Sequence, residues 1–201
     1  MCKLKLAVIG SSGAGLPILN SIFRNMPRLR GAIVLIQHMP AYINQSVRDN
    51  LAVHTQMTVK LAEQDEWIKS GIVYVAPSEL HLKIVSNLRI HLVGGEKVNY
   101  VCPSIDVAMK SLTRDSEIRV LGILLSGIGD DGVQGIGHIK RIGGETIALE
   151  KKATSIGGLT DEAVAMGHVD SVMSPEQIRD ALIRHLGRET GKPDAGKQSA
   201  K

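Results

Sequence analysis

The sequence has 201 residues, 43% hydrophobic and 22% charged, which is enough for one domain with a sizeable core. Lys and Arg number 24 against 20 Asp and Glu, and this formal charge of +4 falls short of the clustered positive charge of a dedicated nucleic-acid binder. Only 2% of the residues are aromatic, which disfavours recognition by base stacking, and the apolar runs are too short to cross a bilayer.

Short apolar runs alternate with helix-like segments along the chain. The predicted strands cover residues 4–9, 32–36, 57–61, 72–76, 82–84, 88–92, 119–125, 145–149 and 169–173. The predicted helices cover residues 16–26, 41–51, 103–114, 131–142 and 161–166, and a last helix begins after Ser174 as its cap. Apolar strands separated by helices predict an α/β fold, with a doubly wound, mostly parallel sheet and helices on both faces. The alternating runs on either side of Ser86-Asn87 predict an antiparallel β-hairpin insertion with a two-residue turn.

The C-terminal end differs in composition from the rest of the chain. Residues 188–201 are rich in Gly, Lys and Ser and contain no large apolar residue, so we predict a folded domain over 1–187 and a disordered tail over 188–201. The N-terminus has no long apolar segment of the kind that a signal peptide needs. The two cysteines, Cys2 and Cys102, require no disulfide, and a reducing cytoplasm is the expected location.

Polar side chains follow three of the predicted strands. In an open parallel sheet, ligands and reacting groups gather beyond the carboxyl ends of the strands, near the point where the strand order reverses. The loops at 10–15, 37–40 and 126–132 supply a hydroxyl, an imidazole and a carboxylate to that edge. These are the three groups that a serine hydrolase requires.

The serines of the first loop allow three interpretations. Ser11 or Ser12 caps the following helix, or the loop binds a phosphate at the helix N-terminus, or one serine is a nucleophile. Gly10, Gly13 and Gly15 form G-x-x-G-x-G, which differs from the dinucleotide-binding G-x-G-x-x-G and from the G-x-S-x-G elbow. The residues of the loop do not decide among the three.

His38 is the strongest candidate among the histidines, because it directly follows an apolar strand and precedes Met-Pro. The other histidines, His81 among them, are predicted to lie away from this edge. Asp130 and Asp131 lie at a predicted helix start, where one carboxylate caps the helix and the other is free to hold an imidazole. Spacing alone does not choose between them. No metal-ligand motif occurs, and we expect neither a metal nor a cofactor.

At these residues the chain resembles the catalytic domain of the CheB-type chemotaxis protein-glutamate methylesterases, over about residues 4–186. The motifs that resemble the family occur in the family's order: residues 8–15 (VIGSSGAG), 37–40 (QHMP), 74–77 (YVAP) with His81-Leu82, 103–106 (PSID) and 125–132 (LSGIGDDG). The resemblance aligns Ser12 with the nucleophile, His38 with the catalytic imidazole and Asp131 with the third member of the triad. Backbone N–H groups around Gly13 and Ile128 are candidates for the oxyanion site.

This resemblance implies hydrolysis of glutamyl γ-methyl esters, and deamidation of certain glutamines, on the cytoplasmic helices of methyl-accepting chemoreceptors. It implies neither a nucleic-acid partner nor membrane insertion. The receiver domain that commonly precedes this domain is expected to be absent from this chain, because the resemblance begins at the first predicted strand. The loops at 149–151 and 155–160 differ from the family pattern, so the alternative is a catalytically weakened module that binds receptors or other partners on the same scaffold.

Overall fold

A seven-stranded parallel sheet forms the centre of the molecule. The computed structural model describes residues 4–12, 15–115, 117–154 and 158–189. The strands are β1 (Leu4–Ser11), β2 (Ala32–Gln37), β3 (Thr58–Leu61), β4 (Ile72–Val75), β5 (His81–Val85), β6 (Arg89–Val93), β7 (Ile118–Leu124), β8 (Glu145–Leu149) and β9 (Ser171–Met173). The helices are α1 (Leu16–Phe23), α2 (Asn44–Ala52), α3 (Ile105–Lys110), α4 (Val133–Arg141), α5 (Leu159–Ala165) and α6 (Pro175–Leu186).

The strand order in the sheet is β3-β4-β2-β1-β7-β8-β9, and every neighbouring pair is parallel. The order reverses at β1, which lies between β2 and β7, so the loops after these three strands meet at one edge. β5 and β6 form a separate antiparallel hairpin. The predicted doubly wound α/β fold with a hairpin insertion is confirmed.

The sheet is apolar on both faces, as β1 illustrates. Its apolar residues do not alternate with polar ones, because both of its faces are covered. Ala7 and Ile9 belong to the core on one face, together with residues of α1, α2 and α6. Leu6 and Val8 belong to the core on the other face, together with residues of α3, α4 and α5. All four side chains are fully buried, because successive side chains of a strand point to opposite faces and helices cover both.

Several predicted ends of strands and helices are wrong by a few residues, and the predicted length of the hairpin turn is also wrong. Val85 pairs with Arg89, so three residues connect the strands instead of two. Asn87 and Leu88 in this turn both have positive φ, at 58° and 59°. The predicted helix at 41–51 divides into a short 3-10 segment and α2. The predicted tail lies outside the described residues from residue 190 onward.

Two helix starts follow the sequence signals closely. Ser104 is the N-cap of α3, and its hydroxyl accepts a hydrogen bond from the Val107 N–H. Ser174 and Gln177 form a complete capping box at the start of α6. Within the part of the chain that the structure describes, no helix is long and apolar enough to span a membrane.

Candidate active site

Ser12 and His38 occupy equivalent positions past the ends of two neighbouring strands. β1 and β2 run parallel in a register that pairs Ser11 with Gln37, so the next residue on each strand is Ser12 or His38. The His38 N–H donates to the Ser11 carbonyl at 2.9 Å, and the Ser12 N–H donates to the carbonyl of Ser126, beyond β7, at 3.1 Å. The three predicted loops therefore meet at one edge of the sheet.

His38 and Asp131, 93 positions apart in the sequence, form a direct contact. His38 Nε2 lies 2.9 Å from Asp131 Oδ2, and the side chains are 15% and 6% exposed. Because a carboxylate only accepts hydrogen bonds, Nε2 is assigned as the protonated nitrogen of the neutral ring. The lone pair of that ring then lies on Nδ1, which is the nitrogen available as a base.

Asp131 is buried, and several donors surround its carboxylate. Ser104 Oγ donates to Oδ1 at 2.6 Å and Asn99 Nδ2 to the same oxygen at 3.2 Å. The Ile105 N–H donates to Oδ2 at 2.7 Å. Burial by itself raises the pKa of Asp131, but the hydrogen bonds from His38, Ser104 and Ile105 outweigh it and hold the pKa below its ordinary value. The carboxylate is therefore ionised at neutral pH.

The prediction that one of the paired aspartates caps the following helix is wrong. The N-cap of α4 is Gly132, whose φ of 116° is one that glycine adopts readily. The N-cap residue therefore has no side chain that could cap the helix. The carboxylate of Asp106, from α3, instead accepts the N–H groups of Gly132 and Gly135 at 2.9 and 2.7 Å. Asp130 is exposed. The geometry thus separates Asp131, which contacts the imidazole, from Asp130, which does not.

Of the three interpretations of the first loop, the one in which Ser11 or Ser12 caps α1 is contradicted by the structure. The N-cap of α1 is Gly15, and no side chain caps the helix. Ser11 is fully buried, whereas Ser12 is partly exposed at the edge of the sheet. Over the ranges that the structure describes, no hydrogen bond joins the Ser12 hydroxyl to the His38 ring.

The Ser12 side chain packs against Gly127 in the loop after β7. A Cβ atom added at Gly127 would lie 2.9 Å from Ser12 Cβ and 3.2 Å from Leu159 Cδ2, so only a glycine fits there without a shift. Ile128 follows, and this residue is 81% exposed. Its backbone N–H makes no hydrogen bond to another described residue. Gly13, the other predicted oxyanion donor, lies outside the described residues.

Sequence reasoning missed the residues that hold the His38–Asp131 pair in place. Asn99 and Ser104 contact the Asp131 carboxylate directly. His81, predicted to lie away from the site, is buried, and its Nδ1 accepts the Ser104 N–H at 3.1 Å. The family motifs contain Ser104 and His81, but no spacing rule assigns them a role. Among the described residues, no group of three or more His, Cys, Asp or Glu side chains could hold a metal ion.

The fold and this site define an α/β protein whose candidate active site lies at the strand-order reversal of a parallel sheet. Residues 7–182 match the family model described as CheB methylesterase. The chain is also 32% identical to the solved structure of the Thermotoga maritima CheB methylesterase catalytic domain, with a TM-score of 0.84 over 90% of this chain and 98% of that one. The chain belongs to the CheB methylesterase family.

Relatives named "Protein-glutamate methylesterase/protein-glutamine glutaminase" show the same level of similarity. The protein of that name from Archaeoglobus fulgidus is 34% identical over 183 residues, which is 89% of this chain and 52% of the relative. The one from Yersinia pestis is 31% identical over 185 residues, which is 90% of this chain and 53% of the relative. The chain thus spans about half the length of these curated relatives.

Proposed function

We propose that this chain hydrolyses glutamyl γ-methyl esters on the cytoplasmic helices of methyl-accepting chemoreceptors and releases methanol. The observation that carries the proposal is the 2.9 Å contact between His38 Nε2 and Asp131 Oδ2. This contact lies at the edge of the sheet where Ser12 directly follows β1. The names of the relatives add support, since they give methylesterase and glutaminase activities to the same family. The setting of this reaction is the cytoplasm.

In this mechanism Ser12 Oγ attacks the ester carbonyl carbon while His38 Nδ1 takes the hydroxyl proton. The carbon–oxygen bond to the methoxy group then breaks, and the His38 imidazolium gives its proton to the departing methoxy oxygen, which leaves as methanol. Water repeats the sequence on the acyl-serine and restores the free hydroxyl, leaving a glutamate side chain. When the substrate is a glutamine, ammonia leaves in place of methanol.

Asp131 contributes charge and orientation to these steps. Its depressed pKa keeps the carboxylate ionised, so it stabilises the imidazolium that forms when His38 takes the proton. The donors from Ser104 and Ile105 prevent the carboxylate from rotating away from His38 Nε2. The negative oxygen of the tetrahedral intermediate would be held by backbone N–H groups, for which Ile128 and Gly13 are the proposed donors.

The experiment is a measurement of methanol release from receptor membranes that carry radiolabelled methyl esters. The wild-type protein should release methanol, and Ser12→Ala should lose several orders of magnitude of kcat because its nucleophile is gone. Ser86→Ala, in the remote hairpin turn, is the matched control and should keep wild-type activity. Equal rates for Ser12→Ala and the wild type would rule out the mechanism.

A second candidate function is a receptor- or partner-binding module without turnover. The observation that favours it is that the Ser12 hydroxyl and the His38 ring share no hydrogen bond within the described part of the chain. Catalytic hydrogen bonds are often long in a free enzyme and tighten with substrate, so the hydrolase is the better supported of the two. A module of this kind would sediment with receptor membranes yet release no methanol, and Ser12-dependent release would eliminate it.

A further inference from the structure

Gln37 joins the backbones of the two proposed catalytic residues on neighbouring strands. Its amide nitrogen Nε2 donates to the Ser12 carbonyl at 2.7 Å and to the His38 carbonyl at 3.1 Å. The residue is only 2% exposed, so water does not compete effectively for these bonds. One side chain therefore contacts the nucleophile's peptide and the base's peptide at the same time.

The position of Gln37 is where the regular strand pairing stops. The β1–β2 register ends at the Ser11–Gln37 pair, and the last backbone bond between the two segments runs from the His38 N–H to the Ser11 carbonyl at 2.9 Å. Within the described ranges, no backbone hydrogen bond joins Ser12 to His38. The amide of Gln37 supplies the cross-link that the strands no longer provide.

The chemistry of the amide dictates its orientation. Two carbonyl oxygens face the same end of the side chain, and only the NH₂ end can donate to both. The other end, Oε1, is buried and has no hydrogen-bond partner among the described residues. A side chain that merely filled this space would do so without burying an unpaired acceptor, so the two donated bonds are the reason for an amide here.

We propose that Gln37 is a positioning residue that sets the separation between the Ser12 hydroxyl and the His38 imidazole. The inference rests on the proposed function, since it assigns these two groups to one proton transfer. Proton transfer and nucleophilic attack depend steeply on the distance between the groups, and a misplacement of about 1 Å can cost about 100-fold in rate. Gln37 itself touches neither substrate nor reacting atoms in this mechanism.

The first test is kinetic and uses Gln37→Met, which keeps the length of the side chain and removes both donors. We expect kcat per folded enzyme to fall about 10- to 100-fold, while KM stays within about two-fold. A residue with only a structural role would lower the melting temperature and leave kcat per folded enzyme unchanged. Gln64→Met is the control, because it removes a hydrogen-bonded amide from the hairpin region, whose contacts are with His91 and Leu92.

A second variant separates hydrogen bonding from packing. Gln37→Glu has almost the same shape, but its carboxylate oxygens face the Ser12 and His38 carbonyls and repel them. We expect a kcat below that of Gln37→Met, whereas a packing role predicts the opposite order. The inference is overturned if either variant keeps kcat within about three-fold of the wild type. It is also overturned if neither variant folds, because Gln37 would then be required for folding itself, which is a structural role.

Crystal structures of the wild type and Gln37→Met test the inference independently of any activity. We expect the Ser12–His38 Cα separation to change by about 0.5 Å or more, a displacement large enough to account for the rate loss. An unchanged separation would overturn the inference even if kcat fell. If the wild type released no methanol, the proposed function would fail by itself, and these two structures would still decide the role of Gln37.

Discussion

Asp106 and Asp131 each accept backbone hydrogen bonds from the segment that carries the other. Asp131 accepts the N–H of Ile105 at 2.7 Å, next to Asp106, while Asp106 accepts the N–H of Gly132 at 2.9 Å, next to Asp131. The exchange fastens the start of α3 to the start of α4. It places one carboxylate, Asp131, against His38 and leaves the other in a purely supporting position.

Removal of the supporting carboxylate should lower stability. In Asp106→Ala, the buried N–H groups of Gly132 and Gly135 lose their acceptor, so we expect the free energy of unfolding to fall by about 2–3 kcal/mol. Urea denaturation measures the change. Asp49→Ala is the control, since Asp49 is exposed and its ion pair with Arg48 lies at the surface; it should change stability by less than about 0.5 kcal/mol. A loss of stability no larger than that of the control would contradict the supporting role of Asp106.

The two adjacent aspartates should differ sharply in activity. Asp131→Asn removes the charge that, in the proposed mechanism, stabilises the His38 imidazolium, and we expect methanol release to fall by about 10²- to 10⁴-fold, by comparison with triads in general. Asp130→Asn changes an exposed neighbour and should keep activity within about two-fold. Comparable losses in the two variants would show that the contact with His38 is not what matters.

Asp131 should also make stability depend on pH in the acid range. Its pKa in the folded protein lies below the value of about 3.9 in the unfolded chain, so its stabilising contribution is complete above that value and is lost as the pH falls through the native pKa. Asn cannot titrate. The stability difference between wild type and Asp131→Asn, from urea denaturation, should be largest at neutral pH and shrink below about pH 4. A difference that stays constant from neutral to acid pH would contradict this assignment.

Gly127→Ala should impair the site without unfolding the protein. Its new Cβ would meet Ser12 Cβ at 2.9 Å, so Ser12 must move relative to His38. We expect kcat/KM for methanol release to fall by about ten-fold or more, since small displacements of a nucleophile are costly. Gly95→Ala is the control, because a Cβ there meets no atom within 4 Å. Full activity in Gly127→Ala would show that Ser12 tolerates the displacement or does not take part.

The sequence predicted the sheet and helices well because their signal is local. Buried strands such as β1 are continuously apolar, and the cap of α6 at Ser174 is a short-range pattern. The predicted hairpin turn was wrong, because the turn has three residues and both Asn87 and Leu88 adopt positive φ. Asn tolerates this conformation readily, but Leu rarely does, so Leu88 was assigned to the following strand. The predicted aspartate cap of α4 was wrong for a different reason: a glycine occupies the N-cap, and Asp106, distant in sequence, accepts the N–H groups of Gly132 and Gly135. A glycine also occupies the N-cap of α1, which contradicts the capping interpretation of the first-loop serines.

Apolar patterning and strand-end loops, which are read along the chain, determined the α/β class, the edge of the sheet where the candidate site lies, and the candidate His38. The family resemblance of the sequence motifs then selected Ser12 and Asp131. Only the tertiary structure brought Asp131 into contact with His38 and revealed the hydrogen-bonding roles of Gln37, Ser104 and Asp106. Those roles depend on hydrogen bonds between segments far apart in sequence, and such bonds exist only once the strands and helices have packed.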